Sequence, residues 1–185
     1  MRYFTLLLSM VLTGFSADYR EAATAIVFPD QCDAWVRIRV DEDPRKEIGT
    51  SVGYSIRNGS AVTCRVFDGK FGAPKDDDDL IKKEMEEISA AIFAVWQQRG
   101  AKVELALPIG SIPSDKRQFV MLHRIAHPQQ PSISITHFRF YQGRYLSFRF
   151  TTPEQDPTAA FNELSRFLSA LSAAQKDQKS SQLTE

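Results

Sequence analysis

Residues 132–151 read SISITHFRFYQGRYLSFRFT. Alternation with a period of two marks a β-strand, whose side chains point to opposite faces in turn. Here it runs from Ser132 to Tyr141 and again from Arg144 to Thr151, with Gly143 between the runs to turn the chain. The two runs form an antiparallel hairpin, and the loop length sets its register. A two-residue turn pairs Phe140 with Tyr145 and puts Phe138 and Phe140 on the face opposite Leu146, Phe148 and Phe150. A three-residue loop, Gln142 to Arg144, pairs Phe140 with Leu146 and Phe138 with Phe148, stacking the aromatics on one buried face. The second register is expected.

Upstream of this hairpin, Lys102 to Leu107 and Arg117 to Ala126 also read as strands, joined by a loop holding Pro108, Gly110 and Pro113. Downstream, Asp156-Pro157 opens a helix, a capping residue followed by a proline whose missing N–H costs nothing there. Phe161, Leu164, Leu168 and Leu171 form its apolar stripe, widened by Phe167. An earlier helix starts behind Asp76-Asp77-Asp78-Asp79 and carries Ile81, Met85, Ile88, Ile92 and Val95, ending near Gly100. Its aspartates suit a helix start, where carboxylates cap free amides and offset the dipole; they lack the alternation, glycine and glutamate of a calcium loop.

Before that helix come Trp35 to Val40, with alternating apolar and basic residues, then Ser51 to Arg57 and Ser60 to Phe67 flanking Asn58-Gly59. Asn-Gly is the strong signal for a two-residue type I′ turn. Such a turn sets Ile56 opposite Ala61, Tyr54 opposite Thr63 and Gly53 opposite Cys64. The order is βββ-α-ββββ-α, which joins neighbours by hairpins and predicts an α+β domain, an antiparallel sheet with two amphipathic helices packed on it.

The ends of the chain read differently. Met1-Arg2, an apolar run from Tyr3 to Phe15 and then Ser16-Ala17 describe a secretory signal peptide over residues 1–17, too short for a membrane-spanning helix of roughly 20 residues. Cleavage fits before Ala17, or after Ala23-Thr24-Ala25. One globular domain is expected over residues 26–174, with 175–185 a flexible tail. Equal numbers of basic and acidic residues, 23 of each, leave no global field to draw the protein to nucleic acid. In an exported chain the two cysteines, Cys32 and Cys64, favour a disulfide, worth roughly 3–4 kcal/mol for a loop of about thirty residues.

No motif assigns a catalytic residue, a metal or a cofactor. The histidines are His123, His127 and His137; the first two stand roughly 13 Å apart along a strand, too far to share one metal ion. The segment Gln142 to Phe150, followed by Thr151-Thr152-Pro153-Glu154 and a helix, resembles the closing strand and helix of the PsbP/Mog1-like superfamily. That resemblance covers about forty of the 185 residues and implies a sheet sandwiched by helices, action through binding, and exported bacterial relatives. Under the expected register Arg139, Tyr145 and Arg149 project together from the face opposite the phenylalanines. Arginine and tyrosine are enriched at interfaces, and guanidinium groups grip anions in bidentate fashion. The expectation is an exported, soluble binding domain of the cell envelope, periplasmic or secreted, whose partner is a protein or a small anionic ligand. The alternative is a small hydrolase gathering the histidines and carboxylates in a cleft.

Overall fold

The computed structural model describes residues 17–112 and 115–182; most of the expected signal peptide lies outside them. The elements are β1 (Tyr19–Arg20), β2 (Val27–Phe28), β3 (Gln31–Cys32), β4 (Trp35–Glu42), β5 (Thr50–Ser55), β6 (Ala61–Phe67), α1 (Asp78–Gln98), β7 (Lys102–Ile112), β8 (Asp115–Ala126), β9 (Ser132–Tyr141), β10 (Arg144–Thr152) and α2 (Pro157–Gln182). The expected βββ-α-ββββ-α order holds for the seven long strands, and β1, β2 and β3, of two residues each, precede them. Strands β3 to β10 form one antiparallel sheet in the order β3-β4-β5-β6-β10-β9-β8-β7, while β1 and β2 pair with each other. The protein is α+β, as its sequence indicates.

The helices lie on opposite faces of the sheet. Leu164, Phe167 and Leu171 of α2 pack with Leu146, Phe148, Phe150, Val62, Tyr54 and Trp35. The α1 residues Ile81 and Met85 pack with Phe67, Phe119, Met121, Phe138 and Tyr145. Phe167 is the hub of the first core, its ring 5.2 Å from Trp35 and 5.3 Å from Tyr54 in edge-on contacts. The apolar spacing of α1 holds at Ile81, Met85 and Ile92, whereas Val95, the last of the stripe, is exposed. The helix starts as the aspartate run implies, with the Asp77 carboxylate accepting the Leu80 N–H at 2.9 Å. It stops at Gly100, whose φ of +77° no β-carbon obstructs.

Burial on both faces overturns the expected register of the β9–β10 hairpin. The turn is the two-residue one, Gln142-Gly143, both with positive φ (+49° and +77°), and Tyr145 pairs with Phe140, Leu146 with Arg139 and Phe148 with His137. Phe138 and Tyr145 then serve the α1 core, and Leu146, Phe148 and Phe150 the α2 core, so the aromatics need not share a side. The β5–β6 hairpin also slips by one residue: Tyr54 faces Val62, Gly53 faces Thr63 and Val52 faces Cys64. Gly59 takes positive φ (+88°) but Asn58 does not; its Oδ1 instead accepts the Ser60 N–H at 2.8 Å, making a longer loop.

Strand β4 departs from its alternation as well. Trp35 and Arg37 are buried while Val36 and Ile38 are 46% and 53% exposed, and a bulge between Arg37 and Arg39 shifts the faces. Arg37 is buried because its guanidinium ties down the N-terminal segment, donating to the carbonyls of Phe28 and Ala17, each at 2.5 Å. The folded region accordingly begins before residue 26, with Phe28 and Ile26 in the α2-side core. At the other end, α2 continues past Ala174 to Gln182, and Gln175 donates to the Val27 carbonyl at 3.1 Å. Neither glycine nor proline interrupts residues 172–182, which suits the continuation of the helix into the segment expected as a tail.

The disulfide is not formed: Cys32 and Cys64 are buried free thiols. Cys32 lies on β3 and Cys64 on β6, and both thiols enter the core beneath α2 without a bond between them. Burial pushes the Cys32 thiol up to about 11 and the Cys64 thiol well above its ordinary value. Both are thereby kept protonated and unreactive.

Candidate ligand-binding cleft

The corrected register takes apart the face that the sequence suggested. Arg139 points to the α2 side, whereas Tyr145 and Arg149 belong to the α1 side. Tyr145 is fully buried among Phe67, Phe138 and Phe140, its hydroxyl accepting the Lys75 N–H at 3.4 Å. Arg149 is exposed, with Arg39 and Arg99 as cationic neighbours. Of the three, only Arg139 reaches a cavity.

That cavity is a cleft of about 580 Å³ between the C-terminal half of α2 and strands β8, β9 and β10. Sheet geometry builds its floor. Gln118 of β8 lies opposite Arg139 of β9, and His137 opposite Val120, so the side chains of 118, 137 and 139 rise from one face. His137 Nε2 and Gln118 Oε1 meet at 2.6 Å, which requires the imidazole to carry its proton on Nε2. The His137 ring lies 5.8 Å from that of Phe148. The half-buried Arg139 guanidinium sits 5.2 Å from the ring centre of Tyr141 and 5.9 Å from that of Phe148. Such stacking holds a guanidinium in place against the ring faces. Lys176, Ser172 and Gln175 of α2 supply the opposite wall. A second cavity of about 550 Å³ lies between α2 and the β7–β8 hairpin, and Gln118, His137 and Leu168 line both.

The histidines of the alternative hydrolase reading are not brought together. His123 is buried on the α1 side, its Nε2 2.8 Å from the Ser89 hydroxyl and its ring 5.6 Å from Phe93. Burial lowers its pKa to about 4. His127 stacks edge-on against Trp96, 6.2 Å away, and His137 faces α2. Among the described residues no three His, Cys, Asp or Glu side chains cluster as they would around a metal ion. The residues that sequence reasoning missed are Gln118 and Lys176. Their contribution depends on the pairing of β8 with β9 and on the extra turns of α2, neither of which a local pattern signals.

An antiparallel sheet with a helix on each face, its last strand and helix closing the chain, is a PsbP-like fold. The solution structure of cyanobacterial PsbP (CyanoP) from Synechocystis sp. PCC 6803 is similar with a TM-score of 0.51 at 10% sequence identity, covering 83% of this chain and 89% of that one. The likeness extends the resemblance of the closing strand and helix to most of the molecule, and it concerns the fold. No protein-family model matches the chain, and no curated protein matches it in sequence.

Proposed function

We propose that this protein is an exported binding domain of the cell envelope that holds a small anionic ligand, or an acidic segment of a partner protein, in the α2 cleft. The observation that carries the reading is the convergence of Arg139, His137, Gln118 and Tyr141 from the sheet with Lys176 from the helix on one 580 Å³ cleft. Clefts of this size with a few placed polar groups are the usual form of a small-molecule site. The scattered histidines favour binding over hydrolysis.

Export rests on the cationic start and apolar run of residues 1–17, and no described helix is long and apolar enough to cross a membrane. Of the two cleavage positions, the fold supports the earlier one. Ala23-Thr24-Ala25 forms the turn of the β1–β2 hairpin, where the Glu21 carboxylate accepts both the Thr24 N–H at 2.7 Å and its hydroxyl at 2.6 Å. Cutting there would remove a strand that Arg37 helps to anchor.

The test is native mass spectrometry of the protein purified from its own compartment, beside the Arg139→Glu variant. A bound mass on the wild type that the variant lacks supports the reading. Identical spectra for the two proteins, or bare chains for both together with no anion binding in solution, would sink it.

A further inference from the structure

We propose that the protein carries a separate anion site on the α1 side of the sheet, where Arg39 and Arg149 hold a phosphate group between them. It lies on the face opposite the α2 cleft and does not depend on that reading. Its basis is one row of residues across the sheet. Arg39 of β4 pairs with Gly53 of β5, Gly53 with Thr63 of β6, Thr63 with Arg149 of β10, and Arg149 with Thr136 of β9. Residues paired in this way share a face. Thr136 pairs in turn with Met121, which packs under α1, so the row belongs to that side.

The two arginines are brought together by a glycine. Arg39 lies across Gly53, where an added β-carbon would meet its Cγ at 2.8 Å and its Nε at 3.0 Å. A bare strand position thus lets the long side chain rest over β5, on the side of Thr63 and Arg149. Desolvation, and then the charges of Arg39 and Arg99, press the Arg149 pKa below its ordinary value, and no carboxylate is among the charges that act on it. Arg39 has a partner in Asp41, 3.5 Å away in an exposed pair, and Arg99 rests 5.3 Å from the centre of the Trp96 ring. Three guanidinium groups against one carboxylate leave two positive charges in excess. On the other side of Arg149, Thr136 is fully buried and its hydroxyl has no hydrogen-bond partner among the described residues. A buried hydroxyl ordinarily has one.

Charge and oxygen count select the ligand class. A carboxylate brings one negative charge and two oxygens, which a single guanidinium fork occupies. A phosphate monoester brings about 1.5 to 2 negative charges at neutral pH and three acceptor oxygens, enough for two forks and the half-buried Thr63 between them.

The experiment is a nuclear magnetic resonance titration of the mature protein with inorganic phosphate, beside acetate. Amide shifts should centre on Gly53, Thr63 and Arg149, and phosphate should bind at least tenfold more tightly than acetate. Arg149→Gln should weaken phosphate binding about tenfold, the value of one charge-assisted contact, and Arg39→Gln by a similar factor. Gly53→Ala removes no charge but displaces Arg39, and should weaken binding several-fold. Arg139→Gln, on the α2 side, should change nothing. Equal affinity for acetate overturns the site, as does an Arg149→Gln variant that binds as the wild type does. Shifts centred on His137 and Arg139 would overturn it too, while supporting the α2 cleft. The shift map is read on the wild type, so it does not depend on a variant folding. Glycerol phosphate and phosphatidylcholine vesicles containing phosphatidic acid separate the sources of the group. Sedimentation with the vesicles, lost in Arg149→Gln, supports the site and marks a lipid headgroup; binding of glycerol phosphate without sedimentation supports it and marks a soluble ester. Binding of neither overturns the proposal.

Discussion

His123 should make the protein's stability depend on pH in a window set by one side chain. It is fully buried between β8 and α1, hydrogen-bonded to Ser89 and packed against Phe93. Burial lowers its pKa to about 4 from an ordinary value of 6.5. The unfolded chain therefore binds a proton near pH 6.5 that the folded chain refuses until about pH 4. Between those values the unfolded state holds more protons, so stability rises with pH through the window and is lost as pH falls. Linkage sets the loss at roughly 1.4 kcal/mol by pH 5.5 and about 2.5 kcal/mol by pH 4.5, relative to pH 8. The assay is urea unfolding at pH 7.5, 6.5, 5.5 and 4.5 for the wild type and His123→Gln, which cannot take up a proton. Carboxylates titrating in both proteins cancel in the difference. The variant should start less stable at pH 7.5 and close the gap by about 2.5 kcal/mol at pH 4.5. Parallel curves across the range would refute the reasoning, because they would mean that His123 accepts its proton as readily folded as unfolded.

Three further outcomes follow from single contacts. Gly49 has φ of +66°, and a β-carbon there would stand 2.0 Å from the Val66 carbonyl oxygen, so Gly49→Ala should cost more than about 2 kcal/mol in denaturant unfolding. Asp77→Ala, which removes the carboxylate from the start of α1, should cost about 1 kcal/mol, and Asp77→Asn should recover most of it. Edman or mass-spectrometric mapping of the exported protein should find its first residue at Ala17 or Asp18; a start at Ile26 would overturn the assignment of the β1–β2 hairpin to the mature fold.

The helices and the order of elements along the chain were legible because each rests on local chemistry: an aspartate cap, apolar residues recurring every three or four positions, a proline at the first turn. Register was not legible, and the reason is the second helix. When one face of a sheet is wet, hydrophobic alternation selects a single pairing; when both faces are covered, a one-residue slip exchanges one buried set for another, and the pattern no longer decides. The β9–β10 hairpin shows this. Stacking every aromatic on one side looked compelling only while Phe138 and Tyr145 had no α1 core of their own to enter. Arg37 was misread for a related reason. Its place in an alternating strand suggested a wet face, yet the guanidinium is buried where it meets the carbonyls of Phe28 and Ala17.

That same slip produces the candidate site. With the two-residue turn at Gln142-Gly143, Arg139 moves to the side of Leu146 and Phe148, and so to the floor beneath α2. Had the longer loop held, Arg139 would have joined Arg149 on the other face, and His137 would have faced α1 with Phe119 and Met121. The cleft therefore depends on one turn in which a non-glycine residue, Gln142, accepts a positive φ. Such a conformation costs roughly 1 kcal/mol for a residue with a β-carbon. Pairing along the full lengths of β9 and β10, with Phe148 and Phe138 each seated in its own core, offsets that cost many times over. Gln142→Gly should accordingly relieve the turn and leave the register that positions Arg139 intact, read as unchanged or raised stability in denaturant unfolding, while it removes the 3.3 Å hydrogen bond from the Gln142 amide to the Tyr141 hydroxyl.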